Sequence, residues 1–352
     1  MIIHIFDETP HHYKPMQSFF SKTCQVEPAQ FYWVKKTQHT SAKANNTAEP
    51  FTYYENNDQL FTYLAQLPVN AKVIFHGLFD IHTWRRLLLH PIVKRCSCVI
   101  WGTELYRHRK PNRSWKDFVA LWLHQRLISR FANVFALTPG DAELVTRYLK
   151  RKDVKVLAYP LIGLVREQHK QVTYSAAQPL RILVGNSADK SNEHLQVLSQ
   201  LAHLADANVE VVMPLNYAGN DEYINAVVCE GKRLFADKFV AITDMLEKSA
   251  YDQLLSTVDI TVFAHQRQQG LYVVYAMLEM GKTIFLRRST SSYSNLSALG
   301  FDVKAFEGLN EFNVEELKAL VKSPNTNNQA LMAEHYTEQA LAPKWSKMVN
   351  AL

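Results

Sequence analysis

The sequence of 352 residues predicts an α/β protein made of two doubly wound, Rossmann-like domains. Short apolar runs of strand length alternate with segments of helical periodicity, which is typical of a parallel sheet covered by helices. The alternation stops over 161–179 and then starts again, and the chain is too long for one ordinary core. We therefore expect domains over 1–160 and 180–325, a linker over 161–179, and a C-terminal helical stretch over 326–352 that could pack back on the first domain.

Each domain is defined by its apolar runs. In the first domain the predicted strands are MIIHIF, QFYWVK, AKVIFHG, CSCVIWG, NVFALT and VKVLAYP. In the second they are LRILVG, VEVVMP, KFVAIT, VDITVFA and KTIFLRR. Because ligands of such sheets bind beyond the carboxyl ends of the strands, functional residues are expected in the loops that follow the strands.

Composition and charge narrow the class of protein. An apolar fraction of 47% and a charged fraction of 20% are those of a globular chain, and the longest apolar run, Leu271 to Leu278, is too short to span a membrane. The four cysteines have no disulfide-framework spacing and favour a reducing compartment. Up to Pro160 there are 22 Lys and Arg against 12 Asp and Glu, whereas the remainder has 17 against 21. The first half is therefore the part expected to meet an anionic partner.

The loop after the strand RILVG is the strongest candidate for a phosphate site. It leads into a helix predicted to start near Ser191, where free N–H groups and the helix dipole favour an anion. The residues predicted to bind a nucleotide diphosphate here are Gly185, Asn186, Ser187, Lys190, Ser191, Asn192 and Glu193. Taken singly, Ser191 could be only an N-cap and Asn186 only a turn residue. Whether Asp189 and Glu193 contact the donor sugar or cap the helix is left open.

Two further loops in the second half are predicted to complete that site. After a strand that ends at Phe263 come Arg267, Gln268, Gln269 and Gly270, followed by a helix from about Leu271 to Met280. Arginine can clamp a phosphate and glycine allows close backbone approach, although a surface turn with an incidental arginine is the alternative. The segment from Ile242 to Leu246, including Thr243, precedes another helix and could hold a nucleobase edge.

In the first half, polar residues that follow strands are candidates for catalysis and acceptor binding. Glu104, His76 and His12 are the candidate general bases, with Glu104 expected to face the cleft between the domains. His11, Asp80 and Tyr106 are the candidate acceptor-binding residues. A hydrogen-bonded structural role is the alternative for the histidines and for Glu104.

The sequence lacks metal-binding motifs but contains a basic segment with aromatic residues. There is no Asp-x-Asp pair and no His-x-x-x-His, so no metal or other cofactor is expected. Trp115 and Trp122 lie at helical spacing in a segment rich in Arg and Lys, a pattern that suits an anionic membrane surface. A buried amphipathic helix with a solvated basic face is the alternative, and nucleic acid is not an expected partner because no recognition module is visible.

Several motifs together resemble a known family. ILVGNSADKSNEH, FHGLFD followed by Trp84, IWGTELY, PHH and RQQG look like the TDP-N-acetylfucosamine:lipid II N-acetylfucosaminyltransferases, glycosyltransferase family 56, over essentially the whole chain. The resemblance implies the GT-B architecture, in which two Rossmann-like domains face a cleft. It also implies transfer of 4-acetamido-4,6-dideoxygalactose (Fuc4NAc) from a TDP donor to undecaprenyl-diphosphate-linked ManNAcA-GlcNAc, in enterobacterial common antigen synthesis.

The resemblance further implies a peripheral protein at the cytoplasmic face of the bacterial inner membrane. Other readings of the sequence remain open. They are a glycosyltransferase of the same fold with another nucleotide sugar, a sugar-nucleotide 2-epimerase, and a basic membrane- or nucleic-acid-binding protein without enzyme activity.

Overall fold

A computed structural model describes residues 1–7, 10–36, 50–109, 114–164 and 178–352, and the side chains of Pro10 and His11 are not among those described. The chain divides into two compact units. The first comprises Met1–Ile162 together with Glu338–Leu352, and the second comprises Gly163–Thr337. Most of the predicted linker over 161–179 lies outside the described residues.

The first unit contains a fully parallel sheet in the order β3-β2-β1-β4-β5-β6-β7. Its strands are β1 (Ile2–Asp7), β2 (Gln30–Lys35), β3 (Phe51–Tyr54), β4 (Lys72–His76), β5 (Cys96–Ile100), β6 (Asn133–Ala136) and β7 (Val154–Val156). Its α-helices are α1 (Pro10–Ser18), α2 (Asn57–Gln66), α3 (Ile81–Leu89), α4 (Thr103–Tyr106), α5 (Trp115–Ile128) and α6 (Pro139–Leu144). All six predicted strands are confirmed, and β3 is an additional one.

The second unit repeats this architecture with the order β10-β9-β8-β11-β12-β13, again fully parallel. Its strands are β8 (Leu180–Val184), β9 (Val209–Pro214), β10 (Phe239–Ile242), β11 (Ile260–Phe263), β12 (Thr283–Leu286) and β13 (Lys304–Ala305). Its α-helices are α7 (His194–Leu201), α8 (Asp221–Phe235), α9 (Lys248–Thr257), α10 (Leu271–Glu279), α11 (Ser291–Ala298), α12 (Val314–Val321) and α13 (Thr326–His335). The predicted class of two doubly wound units is therefore confirmed.

The central strands are buried on both faces, which explains their unbroken apolar sequences. In β8 and β11, residues from both faces of the strands are enclosed by helices, and Val184, Val262 and Ile260 are completely inaccessible to solvent. Regular alternation would have left one face polar. Continuous runs such as RILV and ITVF are therefore typical of the middle of a doubly wound sheet.

The C-terminal stretch is divided rather than being one helix. Helix α13 belongs to the second unit, and α14 (Glu338–Asn350) belongs to the first. The buried Trp345 of α14 donates a hydrogen bond from Nε1 to the carbonyl of Ala158 at 2.9 Å and stacks on the Tyr159 ring. The ring of Phe20 packs edge-on against it. Apolar contacts and one hydrogen bond thus attach α14 to the first unit.

Each sheet has a topological switch point, where neighbouring strands lead to helices on opposite faces. In the first unit it lies between β1 and β4, and in the second between β8 and β11. Ligands of doubly wound sheets bind at such points because the two loops diverge and leave a crevice. The loops after β8 and β11 are those that the sequence predicts to bind phosphate, and His12 and Asp80 follow β1 and β4.

Candidate functional site

The β8 loop, Gly185–Glu193, is held in shape by a buried asparagine. Asn192 is inaccessible to solvent, and its Oδ1 accepts hydrogen bonds from Asn186 N at 3.0 Å and from His265 Nε2 at 2.8 Å. Its Nδ2 donates to Ser187 Oγ and to the carbonyl of Asp189. Both ends of this amide are used inside the protein. Asn192 therefore shapes the loop, and its predicted contact with a ligand has no support in this geometry.

Gly185 begins this loop with a positive φ of 69°. A Cβ atom at Gly185 would lie 2.7 Å from His194 Nε2 and 2.9 Å from Asn192 Oδ1. Both the backbone conformation and the close approach therefore require glycine. The role of Gly185 is to turn the chain tightly above the buried Asn192, which brings the rest of the loop to the edge of the sheet.

The helix start that the sequence placed near Ser191 consists of two parts. A short 3-10 turn spans Lys190–Asn192, and α7 begins only at His194, after Glu193 in the left-handed conformation. The Asp189 carboxylate accepts a hydrogen bond from Ser191 N at 2.8 Å and so caps this turn. The side chain of Lys190 is exposed at the same place, over the ring of Tyr223.

The β11 loop, Ala264–Gly270, lies against the β8 loop, as the sequence predicts. Ser191 Oγ donates to Gln269 Oε1 at 3.0 Å, and Gln266 N donates to the Ser191 carbonyl at 3.0 Å. The Gln266 amide also donates to the Glu193 carboxylate. Asp189 thus caps the turn and Glu193 joins the two loops, and a contact of either residue with the donor sugar stays a prediction.

Three amide groups at this junction have buried polar atoms that find no hydrogen-bond partner among the described residues. They are Asn186 Oδ1, Gln268 Oε1 and Gln269 Nε2. Buried polar atoms are nearly always paired in native proteins, so a group of unpaired ones is typical of a site that a ligand or water completes. These atoms come from both predicted loops.

Positive charge and close backbone approach are present at the same junction. The positive charge of Arg267 lies near His265, whose pKa is lowered mainly by burial and further by this arginine. Gly270 has a φ of 67°, and a Cβ there would lie 3.2 Å from Cγ of Asn186. The junction can therefore offer an anion Lys190, Arg267 and short polar donors, without a bulky side chain at the start of α10.

The third predicted segment lies where the sequence places it, between β10 and α9. Thr243 is exposed and Leu246 is half-buried. No contact among the described residues tests whether Thr243 or Leu246 binds a nucleobase, so that function stays a prediction. Sequence reasoning missed Tyr217, which follows β9 and whose hydroxyl accepts from Asn186 Nδ2 at 3.3 Å. Its position after a strand end was the available signal.

His76 in the first unit occupies the middle of a buried hydrogen-bonded chain. Its Nε2 lies 2.9 Å from His4 Nδ1, and its Nδ1 lies 2.6 Å from the Tyr159 hydroxyl. Burial, with the neighbouring His4, lowers the pKa of His76 well below its usual value. Because both ring nitrogens are occupied and no surface is exposed, the geometry corrects the predicted catalytic role of His76 to a structural one.

Glu104, predicted to be a catalytic carboxylate facing the cleft, is also buried, and its catalytic role stays a prediction. The residue is only 1% exposed, and its Oε1 accepts from Trp101 N at 2.9 Å, which closes the turn after β5. Burial raises the pKa of Glu104 to about 7, even though hydrogen bonds from backbone amides oppose the shift.

The remaining candidates of the first unit are more accessible. His12 on α1 is exposed, and its ring packs on Trp101 with centroids 4.7 Å apart. Asp80 caps α3, and the hydroxyl of Tyr106 donates to Asp141 at 3.0 Å. The side chain of His11 lies outside the described part of the chain. Among the three predicted bases, His12 is thus the one with solvent access.

Helix α5 exposes an apolar stripe. Trp115, Phe118, Val119 and Trp122 follow the i, i+3, i+4, i+7 spacing and are 71%, 57%, 44% and 52% exposed. Lys116 and Arg126 are exposed on the same helix. A buried amphipathic helix, the alternative considered for this segment, is therefore excluded for these four residues.

The described part of the chain was compared with the requirements for a membrane-spanning helix and for a metal site. No helix there is both long enough and apolar enough to cross a bilayer. Among those same residues, no three His, Cys, Asp or Glu side chains come together in a way that could hold a metal ion.

Comparisons with known proteins place these features in context. The profile of the family described as 4-alpha-L-fucosyltransferase glycosyl transferase group 56 matches residues 1–349. Among solved structures, sucrose-phosphate synthase from Thermosynechococcus elongatus is similar with a TM-score of 0.73 at 10% identity, covering 100% of this chain and 98% of that one. An alpha,alpha-trehalose-phosphate synthase (UDP-forming) from Burkholderia vietnamiensis has a TM-score of 0.63 at 10% identity, covering 100% and 99%. At these identities the likeness establishes the GT-B fold and nothing finer.

Proposed function

This chain belongs to glycosyltransferase family 56, the 4-alpha-L-fucosyltransferases, and is a glycosyltransferase; beyond that, we propose that it transfers Fuc4NAc from TDP-Fuc4NAc to undecaprenyl-diphosphate-linked ManNAcA-GlcNAc. The observation that carries the proposal is the junction of the β8 and β11 loops. It combines Lys190, Arg267 and unpaired amide atoms at the switch point of one Rossmann-like unit. This combination suits a nucleotide diphosphate.

The chemistry assigned to this junction is stabilisation of the leaving group. In the transfer, an acceptor hydroxyl oxygen bonds to the anomeric carbon of the donor as the bond from that carbon to the diphosphate oxygen breaks. TDP then leaves with the electron pair, and the hydroxyl proton passes to a base. Lys190, Arg267 and the amide of Gln269 would neutralise and hydrogen-bond the departing diphosphate, which is where charge develops. We propose that no metal is needed.

We propose His12 as the base that accepts this proton, because it is the predicted base whose side chain is accessible to solvent. A neutral imidazole can accept a proton from a hydroxyl group, and the ring of His12 packs on Trp101 with centroids 4.7 Å apart. His76 and Glu104 are buried and are not assigned this role.

The acceptor and the membrane form the second part of the proposal. A lipid-linked acceptor is found at a bilayer, and the α5 stripe with its neighbouring cations has the composition of a surface that lies in an anionic membrane interface. We therefore propose a peripheral protein that docks through Trp115 and Trp122, at the cytoplasmic face of the bacterial inner membrane. Tyr106, His11 and Asp80 remain its proposed acceptor-binding residues.

The deciding experiment is a transfer assay with the purified protein. TDP-Fuc4NAc and the undecaprenyl-diphosphate-linked disaccharide are incubated together, in the presence and absence of EDTA, and the lipid product is analysed by mass spectrometry. We expect a product that is one Fuc4NAc residue heavier, TDP release only with acceptor, and no effect of EDTA. Turnover of the free nucleotide sugar without lipid would indicate an epimerase and overturn the proposal.

A further inference from the structure

A basic turn, Arg107–Arg109, connects the carboxyl edge of the first sheet with helix α5. It is a 3-10 turn that directly follows α4 and precedes α5 along the chain. Its middle residue, His108, is buried, and the Nε2 atom of His108 lies 2.9 Å from Nδ1 of His124 on α5. The basic turn therefore packs against α5, and this contact holds the arginines on either side of His108 near the helix.

Each arginine of the basic turn lies over an aromatic ring. The guanidinium carbon of Arg107 is 5.0 Å from the centre of the Trp84 ring, and that of Arg109 is 5.4 Å from the centre of the Tyr106 ring. Trp84 is completely buried and stacks on His124 with ring centroids 4.2 Å apart. Arg107 is half-buried and Arg109 is exposed. Both residues thus keep part of their surface accessible to solvent while the rings restrict their positions.

The charges of these two arginines are not neutralised by carboxylates. Neither Arg107 nor Arg109 forms an ion pair with an acidic residue of the described part of the chain. By contrast, Arg151 of the same unit pairs with Asp153 and donates to three backbone carbonyls. A guanidinium group can hold a phosphate by two parallel hydrogen bonds. Two such groups, one residue apart and without an acidic partner, therefore suit a diphosphate.

The basic turn lies on the inner side of the helix that is proposed to dock at the membrane. His124 is buried, whereas Trp115, Phe118, Val119 and Trp122 are exposed on the opposite side of α5. An α-helix with its side chains is about 10 Å thick, and an interfacial helix places its apolar face at the boundary between acyl chains and headgroups. When the stripe docks, the basic turn is about 10 Å from that boundary, at the outer edge of the headgroup layer.

We propose that Arg107 and Arg109 bind the diphosphate of the polyprenyl-linked acceptor. The inference rests on the proposed function, because that function supplies a diphosphate with its hydrocarbon chain in the bilayer and its glycan at the protein. Arg109 lies over Tyr106, a proposed acceptor-binding residue, so a diphosphate held here is beside the place proposed for the glycan. Cations that only attract phospholipids are expected on the exposed surface of α5, where Lys116 and Arg126 are found. The position of the basic turn therefore favours the acceptor over a phospholipid.

The test measures binding of geranyl diphosphate, a short and soluble polyprenyl diphosphate, to the full-length protein by calorimetry. TDP is present at saturation, so that the probe does not enter the donor site. The variants are Arg107→Gln and Arg109→Gln, and Arg147→Gln is the matched control. Arg147 is an exposed arginine over the Tyr148 ring at 5.6 Å in the same unit, but it precedes the amino end of β7. Thermal melting confirms that each variant is folded.

We expect geranyl diphosphate to bind, geranyl monophosphate to bind more weakly, and geraniol not to bind. Each substitution in the basic turn should weaken binding of the diphosphate about tenfold, because a charge-assisted contact is lost, with Arg147→Gln unchanged. Absent binding, equal binding of geraniol, or equal affinity of wild type, Arg107→Gln and Arg109→Gln would overturn the proposal.

Two further measurements separate the source of the phosphate and the two proposals. Co-sedimentation with phosphatidylglycerol vesicles should be nearly unchanged in Arg109→Gln, and its loss together with unchanged geranyl diphosphate binding would assign the arginine to phospholipid and overturn the inference. In the transfer assay, Arg109→Gln should raise the KM for the lipid acceptor about tenfold and leave the KM for TDP-Fuc4NAc unchanged. Arginine-dependent binding of geranyl diphosphate without any transfer would refute the transferase function and support this site.

Discussion

The indole nitrogen of Trp101 donates a hydrogen bond to the hydroxyl of Tyr159 at 3.0 Å. That same hydroxyl lies 2.6 Å from His76 Nδ1, and the exposed His12 ring packs on the other part of Trp101. The proposed base His12 is therefore connected, through Trp101 and the hydroxyl of Tyr159, to the buried hydrogen-bonded chain that contains His76.

Replacing Tyr159 with phenylalanine is expected to lower the free energy of unfolding by about 1–3 kcal/mol, because two buried polar groups lose their partner. Urea unfolding measures this. Tyr32→Phe is the matched control, since the Tyr32 hydroxyl is buried without a hydrogen-bond partner in the described part of the same sheet, and its removal should change stability by less than about 0.5 kcal/mol. Equal destabilisation by both variants would contradict the assigned role of Tyr159.

Glu104 should make stability depend on pH. Burial raises its pKa to about 7 in the folded protein, so between the ordinary glutamate pKa and 7 the folded state binds more protons than the unfolded state. Stability from this group is complete below about pH 4 and is lost as the pH rises to 7, by an amount of about 3 kcal/mol.

The measurement for Glu104 is denaturant unfolding of wild type and Glu104→Gln from pH 4.5 to 8. Buried His4 and His76, whose pKa values are lowered, act in the opposite direction, since their stability is lost as the pH falls. The difference in the free energy of unfolding between wild type and Glu104→Gln at each pH therefore reports on Glu104 alone. A difference that does not change with pH would refute a raised pKa.

Lys190→Ala and Arg267→Ala are each expected to weaken TDP binding about tenfold or more while leaving the protein folded, because each removes a charge-assisted contact with phosphate. The measurement is the increase in melting temperature of each variant on addition of TDP, compared with the increase on addition of UDP or GDP. Lys232→Ala, an exposed lysine on α8 of the same unit, serves as the control. Unchanged TDP shifts in both variants would remove the β8 and β11 loops from the donor site.

Asn192→Ala should destabilise the second unit by about 1–3 kcal/mol, since Asn186 N and His265 Nε2 lose a buried acceptor. The hydrogen-exchange rate of the β8 loop amides should also increase in this variant, because local opening of the loop becomes easier. A variant with wild-type stability but weak TDP binding would instead show that Asn192 is a direct ligand.

Replacing both Trp115 and Trp122 with alanine is expected to reduce co-sedimentation with anionic liposomes several-fold, because these rings are two of the four exposed apolar side chains of α5. Leu195→Ala with Val240→Ala removes two exposed apolar side chains of the second unit and should have no effect. Equal sedimentation of both double variants would argue against docking through α5.

Much of the candidate donor site could be predicted from local sequence. A strand end, a glycine with positive φ and a helix start are all defined within about ten residues, which is why the β8 and β11 loops were found and why Gly185 and Gly270 lie where expected. Strand β13 was missed because two residues form no pattern, and β3 was missed because its sequence, FTYY, contains no aliphatic residue.

The sequence by itself determined the two doubly wound units and the positions of their main strands along the chain, because these follow from the period of apolar residues. It also predicted the loops in which function is expected to reside. Only the tertiary structure decided which polar side chains of those loops are accessible. Solvent access depends on residues distant in sequence: Trp345 of α14 and Tyr159 enclose His76, whereas His12 stays exposed. The row of Asp7, Lys35 and Tyr54 at the carboxyl edge of the first sheet likewise exists only because three separate strands pair in register.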